Sequence, residues 1–340
     1  MTFPPADPIA VSADGRRATT VAPRAATASN GTEHGGATVA VVTVVHGQSD
    51  TELHHFVRQV DALDDGPFAL WLVDSGAARP PGLPPALATV VDAGGNVGWT
   101  GGANLGARAA RELGADHILF LNTDVEILDR CLVRRLLAVL DANPQVALVS
   151  PAIVLGDPDR PGCPDAAGQW RTWYQGASMS STTWITRHPG ITRPYRGSGR
   201  VRTVGVASGC CLLARGDAFA SIGGFDEDLF AYFDEADLCL RMAQAGWTSA
   251  LLDVPLVAHH TPGRDLTAVS AYYFGRNPWL LARKHLSPGH RVVACAAQLG
   301  AAPVYLWRSR GGAARRAFLR GLVHGAQHVC GRDRVGLGHR

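Results

Sequence analysis

Thr38-Val39-Ala40-Val41-Val42-Thr43-Val44-Val45 is a continuous apolar run. A strand without polar alternation belongs in a parallel sheet covered on both faces. Further strand-like stretches at 68–73, 88–91, 117–121 and 146–149 are separated by helical patterns near 50–63, 101–113 and 128–140 and by a proline-rich loop at 79–85. This alternation predicts an α/β fold: an open, mostly parallel, twisted sheet flanked by helices. Such sheets bind ligands beyond the carboxyl ends of their strands. Asp74, the loop around Asn96, and Asn122-Thr123-Asp124 all stand at such ends, so they are expected to converge on one crevice.

Beyond Ser150 the pattern loosens. Residues 156–200 are rich in Gly, Pro and Arg and carry Trp170, Trp173, Tyr174 and Trp184. A loop this long in a compact domain is functional or disordered. Its aromatic faces suit either stacking on an acceptor or hydrophobic packing. Strand character returns at 201–213, 248–252 and 254–260, and a helix is expected from about 266 to 285.

The most chemically loaded segment lies between these strands. Asp226, Glu227, Asp228, Asp234, Glu235 and Asp237 fall within twelve residues, interleaved with Phe230, Tyr232 and Phe233. Leu238, Met242 and Ala245 recur at i, i+4 and i+7, which places a helix start near Asp234. Acids at a helix start complement the macrodipole, but that accounts for one or two, not six. The aromatics beside them suggest a rim where a carboxylate meets a substrate.

Three other motifs have a chemical reading beside a structural one. Asn96-Val97-Gly98-Trp99-Thr100-Gly101-Gly102-Ala103-Asn104 is a glycine-rich loop entering a helix, whose free N–H groups suit a phosphate or a polar ring. Its spacing fails the dinucleotide fingerprint, which disfavours a nicotinamide enzyme. Asp124 is either a ligand for a hard divalent cation or the cap of the next helix. His259-His260 follows a strand and could reach the same cation, or be structural.

Composition narrows the classes. A net charge of +3 over 340 residues does not support nucleic acid as a partner. The seven cysteines show no CxxC pair, as expected of buried thiols in a reducing compartment, so a cytoplasmic protein is expected. Residues 1–37 lack periodicity and a signal-peptide pattern, and are expected to be a disordered tail.

Taken jointly, these motifs resemble the inverting nucleotide-sugar transferases of glycosyltransferase family 2, especially the rhamnosyltransferase-like branch. The resemblance runs over roughly residues 38–285. It is carried by Val73-Asp74-Ser75-Gly76, Asn96-x-Gly98-x-x-Gly101-x-x-Asn104-x-Gly106, Leu121-Asn122-x-Asp124, Gly223-Gly224-Phe225-Asp226-Glu227 and Asp237-Leu238-x-x-Arg241, with His259-His260 and Arg276-Asn277 as later signatures. It implies a GT-A fold over 38–285, a nucleoside-diphosphate sugar donor and a Mg²⁺ or Mn²⁺ ion. By the same resemblance Asp74 contacts the base, and Asn96, Gly98, Gly101, Gly102, Asn104 and Asn122 shape the donor pocket. Asp124 ligates the metal with His259 assisting, and Glu235 or its neighbour Asp234 serves as catalytic base.

Two features depart from the branch. Val45-His46-Gly47 stands where a Thr-Tyr-Asn-like triplet is usual, and the acid pair reads Asp-Glu rather than Glu-Asp. The altered pair keeps open a catalytically inactive nucleotide-sugar-binding protein. A nucleotidyltransferase is disfavoured, because His46-Gly47-Gln48-Ser49-Asp50 lacks the Gly-rich, Arg/Lys-bearing loop after the first strand. By resemblance dTDP-rhamnose is the favoured donor, with UDP- and dTDP-hexoses next. The acceptor is a glycan, a lipid-linked glycan or a small molecule, and homo-oligomerisation stays open.

Residues 286–340 read as a helical, basic extension. Val292–Trp307 is apolar but too short to span a bilayer, and Arg308, Arg310, Arg315, Arg316 and Arg320 follow. That suits a peripheral contact with the inner face of a membrane, or a helical pair packed on the domain.

Overall fold

The computed structural model describes residues 38–333 apart from 65, 67, 77–87, 158–159, 161, 181–183 and 260–264. The expected tail at 1–37, the proline-rich loop at 79–85 and His260 therefore lie outside the described residues.

The chain opens with β1 (Val39–Val45), α1 (Asp50–Asp61), β2 (Ala69–Asp74), β3 (Thr89–Asp92), α2 (Gly98–Glu112) and β4 (His117–Leu121). β3, β2, β1 and β4 lie side by side in that order, all parallel. The order reverses between β1 and β4, the point where an open α/β sheet leaves a crevice beyond its carboxyl ends. Alternate residues of these strands serve opposite faces. Val41, Leu119 and Leu121 join Leu53, Phe56 and Val60 of α1 in one core cluster. Ala40, Val42, Ile118 and Phe120 join Ala103, Ala107 and Ala110 of α2 in another. Each fully buried aliphatic side chain contributes about 1.5–3 kcal/mol, so the sheet is held from both sides.

Next come β5 (Val125–Ile127), α3 (Leu132–Ala142), β6 (Val146–Leu155), β7 (Arg171–Tyr174), β8 (Ser178–Met179), β9 (Thr186–Arg187), β10 (Val201–Val204), β11 (Cys211–Arg215), α4 (Gly216–Ser221), α5 (Asp234–Gln244) and β12 (Thr248–His259). β11 enters antiparallel between β4 and β6, and β12 continues the sheet parallel to β6, with β10 at its edge. Three helices close the chain: α6 (Ala268–His285), α7 (Pro288–Arg308) and α8 (Gly311–Ala326).

The structure differs from the sequence reading where prolines and glycines intervene. The stretches at 248–252 and 254–260 are one strand, β12, with register shifts around Pro255. A bulge accommodates a residue that has no N–H to give to the ladder. The stretch at 201–213 is two strands, because Gly205–Gly209 carries the chain from the sheet edge at β10 to its centre at β11. α3 starts at Leu132 rather than 128, since Val125–Ile127 pairs with β12 instead. β6 runs on to Leu155, buried along its whole length.

Candidate active site

At the carboxyl ends of β1 and β2 a polar network lines the crevice. Asp74 ends β2 and accepts a hydrogen bond from the Gly76 N–H at 2.8 Å. Burial raises its carboxyl above the usual range and Asp92 adds to this, while the Gly76 bond and His46 oppose it. His46 reaches the Ser75 carbonyl through Nδ1 at 2.9 Å and the Asn96 amide through Nε2 at 3.2 Å. Ser75 Oγ in turn accepts from the Val97 N–H at 3.0 Å. The residue that breaks the branch pattern, His46, thus ties Asp74's strand end to the glycine loop.

The glycine loop is shaped by close packing. Gly98 has φ +73, and a Cβ there would overlap the Phe230 carbonyl and ring. A Cβ at Gly102 would sit 2.7 Å from Val44, so α2 lies directly on β1. Gly101 faces Val97, with the Glu227 carboxylate within 3.8 Å of its notional Cβ. The Asn104 side chain accepts from Phe225 N–H at 2.8 Å and donates to Phe225 O at 2.9 Å and Glu227 Oε1 at 3.0 Å. Asn104 therefore pins the acidic loop to α2.

That loop is unusual in its backbone. Phe230, Tyr232 and Phe233 all have φ near +65, a region that strains any residue with a Cβ by about 1–3 kcal/mol. α6 holds it in place. Asn277 Nδ2 donates to the carbonyls of Leu229, Ala231 and Tyr232 at 3.1, 2.8 and 2.7 Å. The fully buried Arg276 donates to Leu229 O at 2.8 Å and Asp228 O at 3.1 Å. Thr100 N and Oγ1 both donate to Phe230 O.

The six acids separate into two kinds. Lys284 pairs with Asp226 and lies 3.6 Å from Asp228. Glu227 takes the Asn104 bond, with Arg108 at 4.0 Å. Asp237 is fully buried between Arg241 Nε at 2.7 Å and His285 Nε2 at 2.8 Å. Among the described residues no cation pairs with Asp234 or Glu235. Burial raises the proton affinity of both, and for Asp234 the neighbouring Glu235 charge raises it further. Asp234 is 4% exposed. Glu235 is half-buried as a residue, with protein surrounding its carboxyl.

Asp124, at the turn after β4, is about half exposed and lies 3.3 Å from Nε2 of His259 at the end of β12. The Trp173 indole stacks on the His259 ring, centroids 4.4 Å apart and planes within 6°. Asn122 N–H donates to Cys210 O at 3.0 Å, joining the end of β4 to the start of β11. Buried Cys210 is the common neighbour: desolvation raises its thiol most, and the carboxylates of Asp124 and Glu235 both add to the shift. Asp124 and Glu235 thus both stand near Cys210. One carboxylate and one imidazole fit a divalent cation whose other positions go to substrate oxygens and water. No group of three or more His, Cys, Asp or Glu side chains with metal-binding geometry occurs among the described residues.

Asp74, Asn96, Gly98, Asp124, Asp234, Glu235 and His259 thus lie around the sheet's carboxyl end, while Asn104 and Gly102 act from the packing behind it. Trp184 is not at this rim: it is buried against α7, where Gln298 donates to its carbonyl at 3.3 Å. Sequence reasoning missed Lys284 as the partner of Asp226, His285 as a hydrogen-bond partner of Asp237 and Trp173 as the support of His259. Nothing local in the sequence marks them.

No protein-family model matches the chain. It is 28% identical over 258 residues to the N-acetylglucosaminyl-diphospho-decaprenol L-rhamnosyltransferase of Mycobacterium tuberculosis, covering 68% of this chain and 80% of that protein. It is 26% identical over 183 residues to the low-salt glycan biosynthesis hexosyltransferase Agl10 of Haloferax volcanii, covering 54% of this chain and 55% of the other. Its fold matches the crystal structure of GalNAc-T7 with UDP, GalNAc and Mn²⁺ at a TM-score of 0.52 and 16% identity, over 66% of this chain and 44% of that one. At that identity the likeness concerns the fold alone.

Proposed function

Because the chain is a glycosyltransferase with a GT-A-like fold, we propose that it transfers a rhamnosyl or hexosyl unit, with inversion, from a nucleoside-diphosphate sugar to a hydroxyl of a lipid-linked or other glycan. The observation that carries this reading is that Asp234 and Glu235, among the described residues, have no cation against their enclosed carboxyls, where the four acids around them are occupied. A carboxylate of raised proton affinity is what a general base for a hydroxyl requires.

In this reading Asp74 and Asn96 receive the nucleotide base and ribose, and Gly98, Gly101, Gly102 and Asn104 shape the donor crevice. Glu235 is the base, because the residue is partly exposed while Asp234 is buried. It accepts the acceptor's proton as that oxygen attacks the anomeric carbon from the face opposite the diphosphate. Burial keeps the proton affinity of Glu235 high, and Asp234, about a third of a turn away, is raised by burial and by Glu235 beside it. Asp124 and His259, with Asn122 beside them, would hold Mg²⁺ or Mn²⁺. When bound, the cation supplies Lewis-acid stabilisation of the departing diphosphate. Mn²⁺ in the GalNAc-T7 structure supports that assignment.

dTDP-rhamnose is the donor we favour, then UDP- or dTDP-hexoses. The diphospho-decaprenol acceptor in the mycobacterial relative's name supports a lipid-linked acceptor here. We place the reaction in the cytoplasm, a reading supported by seven unpaired cysteines. A nucleotide-sugar panel with Mn²⁺ and a prenyl-diphospho-sugar acceptor tests the reading, with the product's anomeric configuration read by NMR. Transfer with inversion is expected. Nucleotide binding without turnover of any donor would instead identify an inactive binding protein.

A further inference from the structure

α7 is built inside out. Its outward face carries Val292, Val293, Leu299, Val304 and Trp307, all more than 40% exposed and Trp307 82% exposed. Its one amide side chain, Gln298, points inward and bonds to Trp184. A helix packed on a soluble domain does the reverse. An apolar strip that continues over several turns marks a surface with a partner.

Charge identifies the partner. Between Leu266 and Arg332 the sequence holds ten Lys or Arg and no Asp or Glu, so the rest of this +3 chain carries −7. Arg315 and Arg316 stand exposed on α8, with exposed Leu319 and Val323 at helical spacing from them, and α8 packs on α7 through Tyr305 and Phe318. A second copy of the chain is a poor match, since a two-fold contact would set this basic surface against itself. No helix is long and apolar enough to cross a membrane among the described residues.

We propose that α7 lies flat in the headgroup layer of an anionic phospholipid bilayer, with Trp307 at the interface and Arg315 and Arg316 on lipid phosphates. The contact stands on α7 and α8 and does not depend on the donor or acceptor. α7 touches Trp184 through Gln298, in the same stretch of sequence as Trp173, which stacks on His259.

Co-sedimentation of the full-length protein with vesicles tests this. Phosphatidylcholine vesicles with and without phosphatidylglycerol are compared at low and high salt, without donor, so that failed turnover and failed docking are read separately. Binding is expected to anionic vesicles, about tenfold or more weaker to neutral ones, and weakened by salt. Arg315→Gln with Arg316→Gln should reduce anionic binding about tenfold or more. Leu299→Ser with Trp307→Ser should reduce it comparably at both salt concentrations, with donor hydrolysis and circular dichroism unchanged. Absence of binding to anionic vesicles, equal binding by all variants, or a dimer that Trp307→Ser dissociates without vesicle binding would overturn the proposal.

Discussion

Asp226, Asp228 and Asp237 have cations against them and Glu227 an amide, whereas no cation pairs with Asp234 or Glu235 among the described residues. Two measurable consequences follow from their raised proton affinity. Folding favours the protonated forms, so their contribution to stability is fullest below the unfolded carboxyl values of 3.8 and 4.5 and declines as pH rises through the raised folded ones. Asp234→Asn should therefore melt higher than wild type at neutral pH, by about 2–4 °C, with the gap closing below about pH 4 in calorimetry. Glu235→Gln should lower kcat about 10²-fold or more with donor KM little changed, and Asp234→Asn should cost less. Wild-type kcat should rise with pH along a limb above 4.5 that Glu235→Gln abolishes. Should Asp234→Asn be dead and Glu235→Gln active, the base is Asp234. At the other side of the site, Asp124→Asn should abolish metal-dependent nucleoside-diphosphate binding in titration calorimetry. Trp173→Ala should weaken it about tenfold or more by freeing the His259 ring. Full activity in EDTA would remove the cation from the reaction.

At the scale of elements, the loop between Leu229 and Asp234 is held in a strained path by α6 and α2. Asn277→Ala would orphan three carbonyls at once, those of Leu229, Ala231 and Tyr232. It should destabilise the fold by about 1–3 kcal/mol and lower kcat, because the loop leads into α5. An unchanged kcat with lowered stability would make the clamp structural only. The sequence showed that α5 begins at Asp234, because the 3.6 period and the i,i+4 spacing of Asp237 and Arg241 are local. The positive φ of three consecutive-in-space aromatics had no such sign, since neither Phe nor Tyr favours that conformation.

Across the whole molecule, the C-terminal helices are joined to the site. A Cβ at Gly321 would overlap the Tyr272 carbonyl, so α8 crosses α6 at backbone contact. Arg276 donates to Gly331 O, and Gly331 N–H donates to Asp228 O at 2.7 Å. Truncation after His285 is therefore expected to lower the melting temperature and to remove transfer activity as well as any lipid contact. A truncated chain with full turnover on a soluble acceptor would show that α8 does not support the catalytic loop.

The alternation of buried strands and helices, the placement of Asp74 and Asp124 at the ends of β2 and β4, and the phase of α5 were legible in the sequence. Each is encoded within a few residues, by period, apolar content or i,i+4 spacing. Partnership was not. That Lys284 neutralises Asp226, that His285 buries Asp237, that Trp173 braces His259 beside Asp124, and that Gln298 turns inward while Trp307 faces out all depend on segments up to 135 residues apart. Only chain topology brings them together. Local pattern placed six acids at one helix start, and the tertiary structure decided which two of them have no cation against them among the described residues.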